Sequence, residues 1–139
     1  MSEPRYLVDT SVFVRIEIPE VGDRLEALAM AGKVWTCRAI DLELTYAARS
    51  RDVAKTIDHR RAFPEAAITA AVMDRALRVA ALMAARGLHR GAKPIDLVIA
   101  AAAEARGLCV LHYDDDYERI AQVTQQPVEW IARRGTLEH

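Results

Sequence analysis

The chain has 139 residues, 52% of them hydrophobic, and a formal net charge of −1. That length and composition suit one folded domain with an ordinary core, needing neither disulfides nor a structural metal. Near-neutrality argues against a protein that coats nucleic acid by charge alone, although a local basic patch is enough to hold phosphates. The start, Met1 to Tyr6, lacks the basic-then-apolar pattern of a secretory leader. No apolar run is long enough to span a bilayer, because Asp74, Arg75 and Arg78 interrupt one Ala-rich stretch and Glu104 and Arg106 end another. The expectation is a soluble cytoplasmic protein. Cys37 and Cys109 lie far apart and form no C-x-x-C pair, so both are expected as reduced thiols in or near the core.

The pattern alternates short apolar strands with amphipathic helices. Tyr6–Val8 reads as a strand ending at Asp9, with Thr10 and Ser11 placed to cap a short helix that runs on until Pro19. Val21 to Ala31 reads as a helix stopped by Gly32, and Val34–Thr36 as the second strand. A helix follows across Leu42, Leu44, Tyr46 and Ala47, then a polar one over Arg51 to Arg61, broken at Phe63–Pro64. Ile68 to Arg86 is a long Ala-rich helix. After a basic loop, Pro94 opens a helix that runs to Arg106, since a missing N–H costs nothing in a first turn. Leu108–Leu111 is the clearest strand, His112 to Asp116 a turn, Tyr117 to Val123 a short helix and Val128–Ile131 a last strand. This alternation favours a parallel sheet covered on both faces by helices. Ligands in such folds bind beyond the carboxyl ends of the strands.

Acidic residues gather at those ends. Asp9 follows the first strand, and Asp114, Asp115 and Asp116 follow the strand Leu108–Leu111. Asp96 falls in the first turn of its helix, and Glu43 lies early in the helix after the second strand. Taken singly, each has an ordinary explanation as a turn, a cap or a dipole-complementing acid. Together they need something that tolerates several close negative charges, because unpartnered carboxylates repel and take up protons. A divalent cation removes the conflict, and an all-oxygen donor set points to Mg²⁺, or Mn²⁺ as a substitute, rather than zinc. Phosphodiester hydrolysis is the chemistry such a site suits, with one metal or two.

At these residues the chain resembles a known family. Leu7-Val8-Asp9-Thr10-Ser11 looks like the opening motif of PIN domains. Asp41-Leu42-Glu43-Leu44, followed by Tyr46-Ala47-Ala48-Arg49, is similar to the second acidic motif. Pro94-Ile95-Asp96-Leu97-Val98-Ile99 resembles the third, and Leu111-His112-Tyr113-Asp114-Asp115-Asp116-Tyr117 the fourth. The ordered set covers nearly the whole chain, and at this size it looks most like a VapC-type toxin of a bacterial toxin–antitoxin pair. The resemblance implies a three-layer α/β/α sandwich with a central parallel sheet and Mg²⁺-dependent endoribonuclease activity. It also implies a homodimer and inhibition by a small cognate antitoxin. In that reading Asp9 and Asp96 are direct metal ligands, Glu43 and Asp114 bind the metal or its waters, and either Asp114 or Asp116 is the main fourth acid. Asp41 and Glu43, two apart on a helix, cannot both face one site, and the resemblance favours Glu43, which lies between Leu42 and Leu44 as the family's acid usually does. Ser11 or Thr10 would hydrogen-bond the site.

Other residues are weighed the same way. Arg86, His89, Arg90 and Lys93 form a basic loop, read either as solvated or, through Arg90 and Lys93, as a phosphate contact for the RNA substrate. Arg49, Arg51, Lys55, Arg60 and Arg61 read as the polar face of a helix. His112 reads as a turn residue or an outer hydrogen-bond partner, Tyr117 as a packing anchor, and Trp35, Trp130, Tyr46 and Phe13 as core or interface residues. Residues 1–136 are expected to form one PIN-like domain, with Leu137-Glu138-His139 as a cloning-tag remnant. Among rivals, a phosphatase would want a second Asp where Ser11 stands, and a dinucleotide-binding domain would want a Gly-rich first turn. Another PIN-type nuclease, or a non-catalytic nucleic-acid-binding module of the same fold, is the alternative.

Overall fold

A computed structural model describes residues 4–137. Four strands, β1 (Tyr6–Val8), β2 (Val34–Trp35), β3 (Cys109–His112) and β4 (Val128–Trp130), form one parallel sheet in the order β2-β1-β3-β4. The chain order reverses between β1 and β3, so their carboxyl ends open side by side. That is where a ligand crevice forms in an open α/β sheet. Seven α-helices accompany the sheet: α1 (Thr10–Phe13), α2 (Pro19–Met30), α3 (Arg38–Ala47), α4 (Val53–Arg60), α5 (Ala70–Ala85), α6 (Pro94–Ala105) and α7 (Asp115–Thr124).

The period-two alternation of the strands divides the core into two layers. Leu7 and Val110 face one side, where they pack with Ile40 of α3, Val79 and Met83 of α5, Ile99 to Ala103 of α6, and Ile120 of α7. Tyr6, Val8, Cys109 and Leu111 face the other, against Val12 of α1 and Val21 and Leu25 of α2. The expected three-layer sandwich is therefore present. The run Ala100–Ala103 is wholly buried. Side chains that small let α6 lie close to both the sheet and α5. Cys37 and Cys109 are free and buried, and burial pushes their thiols up to about 11 and about 12.

Three local features depart from expectation. The cap of α1 is Asp9, not Thr10 or Ser11. Asp9 has the extended backbone a cap needs (φ −73°, ψ 157°), and its Oδ2 accepts from the Ser11 N–H at 2.9 Å. Thr10 and Ser11 are already helical, which frees both hydroxyls for other partners. Second, the turn expected over His112 to Asp116 is shorter: His112 belongs to β3, and Asp114 caps α7, which begins at Asp115. A run of three acids suits a helix start, where one side chain caps and the others meet the positive end of the dipole. Third, Arg60 is not on a solvated face but 2% exposed, held between the rings of Phe13 and Phe63. Tyr46 and Met30, by contrast, are fully on the surface. Leu137 packs with the second layer and donates its N–H to Tyr113 Oη at 2.9 Å. The other two residues read as a tag remnant lie outside the described residues.

Candidate metal centre

The carboxyl ends of β1 and β3 and the first turn of α6 converge. Pro94 starts α6 without losing a hydrogen bond, which sets Asp96 in the first turn facing inward. Asp114 projects from the cap of α7, with Oδ1 accepting from the Asp116 N–H at 2.9 Å. One carboxylate oxygen from each of Asp96, Asp114 and Asp116 lies within 4.8 Å of the others. Asp9 joins them through Tyr117, whose hydroxyl lies 2.6 Å from Asp9 Oδ1 and 3.2 Å from Asp96 Oδ1. Asp115, the middle acid of the run, turns outward to Arg134. Four of the five expected acids are thus gathered at one place, and both Asp114 and Asp116 are among them.

Glu43, the fifth, stands outside the 4.8 Å group. Thr10 ties it to the site by donating from Oγ1 to Glu43 Oε1 at 2.7 Å, one residue beyond Asp9. Asp41 is turned away and saturated. It accepts from Arg60 Nε at 2.9 Å, from an Arg38 guanidinium nitrogen at 2.6 Å and from Thr36 Oγ1 at 2.8 Å. The choice between the two acids of α3 therefore has a structural basis: Asp41 locks α3 to α4, and Glu43 is the one that faces Thr10. Ser11 Oγ accepts from the Tyr113 N–H at 2.8 Å, tying α1 to the segment between β3 and α7.

Electrostatically the site is crowded. Burial first, then hydrogen bonding with Asp116 and the charge of Asp9, push the Asp96 carboxyl up to about 7, while Lys93 pulls it down. The Asp116 carboxyl is held below the usual carboxylate range, its hydrogen bonds from Lys93 and Asp96 outweighing its burial. The Lys93 ammonium lies among the three acids, 2.7 Å from Asp116 and 3.1 Å from both Asp114 and Asp96. Asp96 Oδ2 is buried and, despite that neighbour, accepts no aligned hydrogen bond. A buried carboxylate oxygen with no aligned donor is costly. Coordination to a divalent cation would satisfy it, and three hard oxygen donors at this spacing fit such an ion. Arg90, in a left-handed conformation (φ 67°), lines with Lys93 and Asp116 a neighbouring cleft of about 430 Å³. Arg86 is not free to join it, because it donates to the Gln122 carbonyl at 2.8 Å.

Two further side chains support the acids, one of them, His112, read from the sequence as a turn residue or an outer hydrogen-bond partner. His112, fully buried, accepts at Nδ1 from the Asp114 N–H at 3.1 Å, so Nε2 carries the proton toward Glu118 Oε2 at 2.9 Å. It therefore orients Asp114, as an outer partner does. The Tyr117 hydroxyl is the other; only the run of acids preceding it hinted that this ring enters the site.

Comparison with known proteins points to one family. The family description "PIN domain" matches residues 6–123. Ribonuclease VapC21 of Mycobacterium tuberculosis is 43% identical over 134 residues, covering 95% of this chain and 97% of that protein. Ribonuclease VapC51 of the same species is 44% identical over 135 residues, with 96% and 98% covered. Among solved structures, DNA-bound VapBC from Salmonella typhimurium matches with a TM-score of 0.73 at 18% identity, covering 94% of this chain and 100% of that one. A member of the VapBC family of toxin–antitoxin systems, VapBC-5 from Mycobacterium tuberculosis, matches with a TM-score of 0.60 at 26% identity, covering 91% and 98%.

Proposed function

This chain belongs to the PIN-domain family, among the VapC ribonucleases, and from that premise we propose that it is the toxin of a toxin–antitoxin pair, a Mg²⁺-dependent endoribonuclease. The observation that carries the reading is the convergence of Asp96, Asp114 and Asp116 around a buried Asp96 oxygen that lacks an aligned donor. When bound, Mg²⁺ (or Mn²⁺ in its place) supplies a Lewis acid for the scissile phosphate and lowers the pKa of an attacking water.

The chain's own residues do the rest. Asp9, Asp96 and Asp114 would hold the cation, Asp116 would complete their ring of charge, and Glu43, oriented by Thr10, would accept a proton from the attacking water. Ser11 fixes the loop that carries Asp114. Lys93 has its side chain 59% exposed, so its ammonium can move from the acids to a substrate phosphate, with Arg90 beside it on the cleft.

A second surface supports the antitoxin. Leu42, Tyr46 and Met73 are exposed and line, with Ile68, Ile95 and Val98, a groove of about 650 Å³ whose lining also includes Thr10, Glu43 and Arg38. An apolar groove leading to an acidic centre suits a small amphipathic partner whose basic end reaches the carboxylates. Among the described residues no helix is long and apolar enough to cross a membrane. We place the protein in the cytoplasm, with its RNA, as a homodimer of one-domain subunits spanning residues 1–136.

The test is cleavage of total cellular RNA by purified protein and by Asp9→Asn, with Mg²⁺ and with EDTA. Discrete fragments that vanish in both the variant and the chelator lanes are expected. Cleavage that survives both would refute the metal-site reading.

A further inference from the structure

We propose that Tyr117 is a positioning residue for the metal-binding carboxylates: its buried hydroxyl fixes Asp9 and Asp96 relative to each other and decides which oxygen of Asp96 is left to face the cation. The inference rests on the metal-dependent reading above.

The Tyr117 ring is wholly buried between β3 and α6, with the His112 ring 5.3 Å away. For packing alone a phenylalanine would serve, and a buried hydroxyl without a partner would be a cost. Here the hydroxyl has two acceptors, Asp9 Oδ1 at 2.6 Å and Asp96 Oδ1 at 3.2 Å. One phenolic proton serves both carboxylates, which project from the end of β1 and the start of α6. Tyr117 itself is in the first turn of α7, and its N–H donates to the carbonyl of Asp114, the cap of that helix, at 3.2 Å. One side chain therefore links the three elements that carry the acids.

The consequence is orientation. Asp9 Oδ2 is already engaged by the Ser11 N–H at 2.9 Å, so Asp9 is held at both oxygens. Asp96 accepts its one aligned side-chain hydrogen bond at Oδ1, and that contact leaves Oδ2, which meets only the Lys93 ammonium at 3.1 Å, as the atom without an aligned donor. Without the hydroxyl, Asp96 loses the contact that sets its roll, and Asp9 and Asp96 lose the donor between them. The carboxylates would then have to be ordered by the cation itself. Partners that orient metal ligands in this way typically change affinity about 10–100-fold when removed.

The experiment compares wild type with Tyr117→Phe, which keeps the ring. Mn²⁺ binding is measured by titration calorimetry, thermal melting is followed in EDTA, and RNA cleavage is followed against Mg²⁺ concentration. The variant is expected to bind Mn²⁺ about 10–100-fold more weakly. Its cleavage curve should shift to higher Mg²⁺ by a similar factor and recover at saturating metal with KM for RNA unchanged. Its melting temperature in EDTA should stay within a few degrees of wild type. Unchanged Mn²⁺ affinity would overturn the inference while leaving the nuclease reading in place. A large drop in melting temperature, with activity that excess metal does not restore, would also overturn it, because the hydroxyl would then serve the fold. A wild-type protein that neither binds Mn²⁺ nor cleaves RNA would overturn the nuclease reading and this inference together.

Discussion

Replacing Arg60 with methionine should destabilise the protein strongly while leaving its chemistry intact. The Arg60 side chain is 3% exposed and that of Asp41 11%, and they meet at 2.9 Å. Arg60 also donates to Thr36 at 2.8 Å. Methionine keeps an apolar chain of similar reach but removes the guanidinium that lies over Phe13 and Phe63, so Asp41 is left buried with one cation fewer. Breaking a buried pair from one side costs about 3–5 kcal/mol. The lower end applies here, because Arg38 and Thr36 still reach Asp41. At roughly 2 cal/mol/K of unfolding entropy per residue, ~3 kcal/mol lowers the melting temperature of a chain this long by about 10 °C. Adding Asp41→Asn to Arg60→Met should recover part of that loss, since it removes the unpaired charge. Calorimetric melts of the single and double variants would measure both steps. Cleavage assayed well below the new melting temperature should stay within about threefold of wild type, because Asp41 faces α4 and not the acids. A melting-temperature drop under about 3 °C, or a double variant no more stable than Arg60→Met, would refute the account of this pair.

Two further outcomes follow from the acidic centre. With its folded value near 7 against an ordinary 3.8, Asp96 keeps a proton in the folded chain that the unfolded chain has already released. Its contribution therefore favours the fold at low pH and is lost as pH rises through about 4 to 7. Burial lowers His112, whose contribution runs the other way and weakens the fold as pH falls below its ordinary 6.5. The informative quantity is thus the difference between wild type and Asp96→Asn in EDTA: the variant should gain on wild type as pH rises from 5 to 8 while losing cleavage, and a difference that does not change with pH would contradict this. Lys93→Met should tighten Mn²⁺ binding several-fold, because the ammonium competes for Asp96, Asp114 and Asp116, and should reduce the salt dependence of RNA binding by about one counterion. An unchanged Mn²⁺ affinity would show that the ammonium and the ion do not share a position.

Much of this protein was written locally. The apolar runs at Tyr6–Val8 and Cys109–Leu111, the proline at position 94 and the glycines after α2, α5 and α6 mark the elements, because strand burial, caps and stops act within a few residues. Those marks also placed Asp9, Asp96 and the run Asp114 to Asp116 at strand ends and a helix start, where a parallel sheet gathers them. Spacing along one chain could separate Asp41 from Glu43 only by resemblance. The structure separates them because Arg60, about five helical turns later in sequence, folds back onto Asp41, while Thr10 claims Glu43. The same distinction explains Arg60 itself: a lone arginine in a polar helix reads as solvated until Phe13 and Phe63 close over it. Lys93 reads as a free phosphate ligand until the start of α7 brings two aspartates to its ammonium. Tyr117 reads as a packing ring until β1 and α6 present their carboxylates to its hydroxyl. The residue types and their order came from the sequence, since secondary structure is a short-range property. Which acid pairs with which donor was decided only by tertiary contacts, because hydrogen bonds between residues 108 and 123 apart have no local signature.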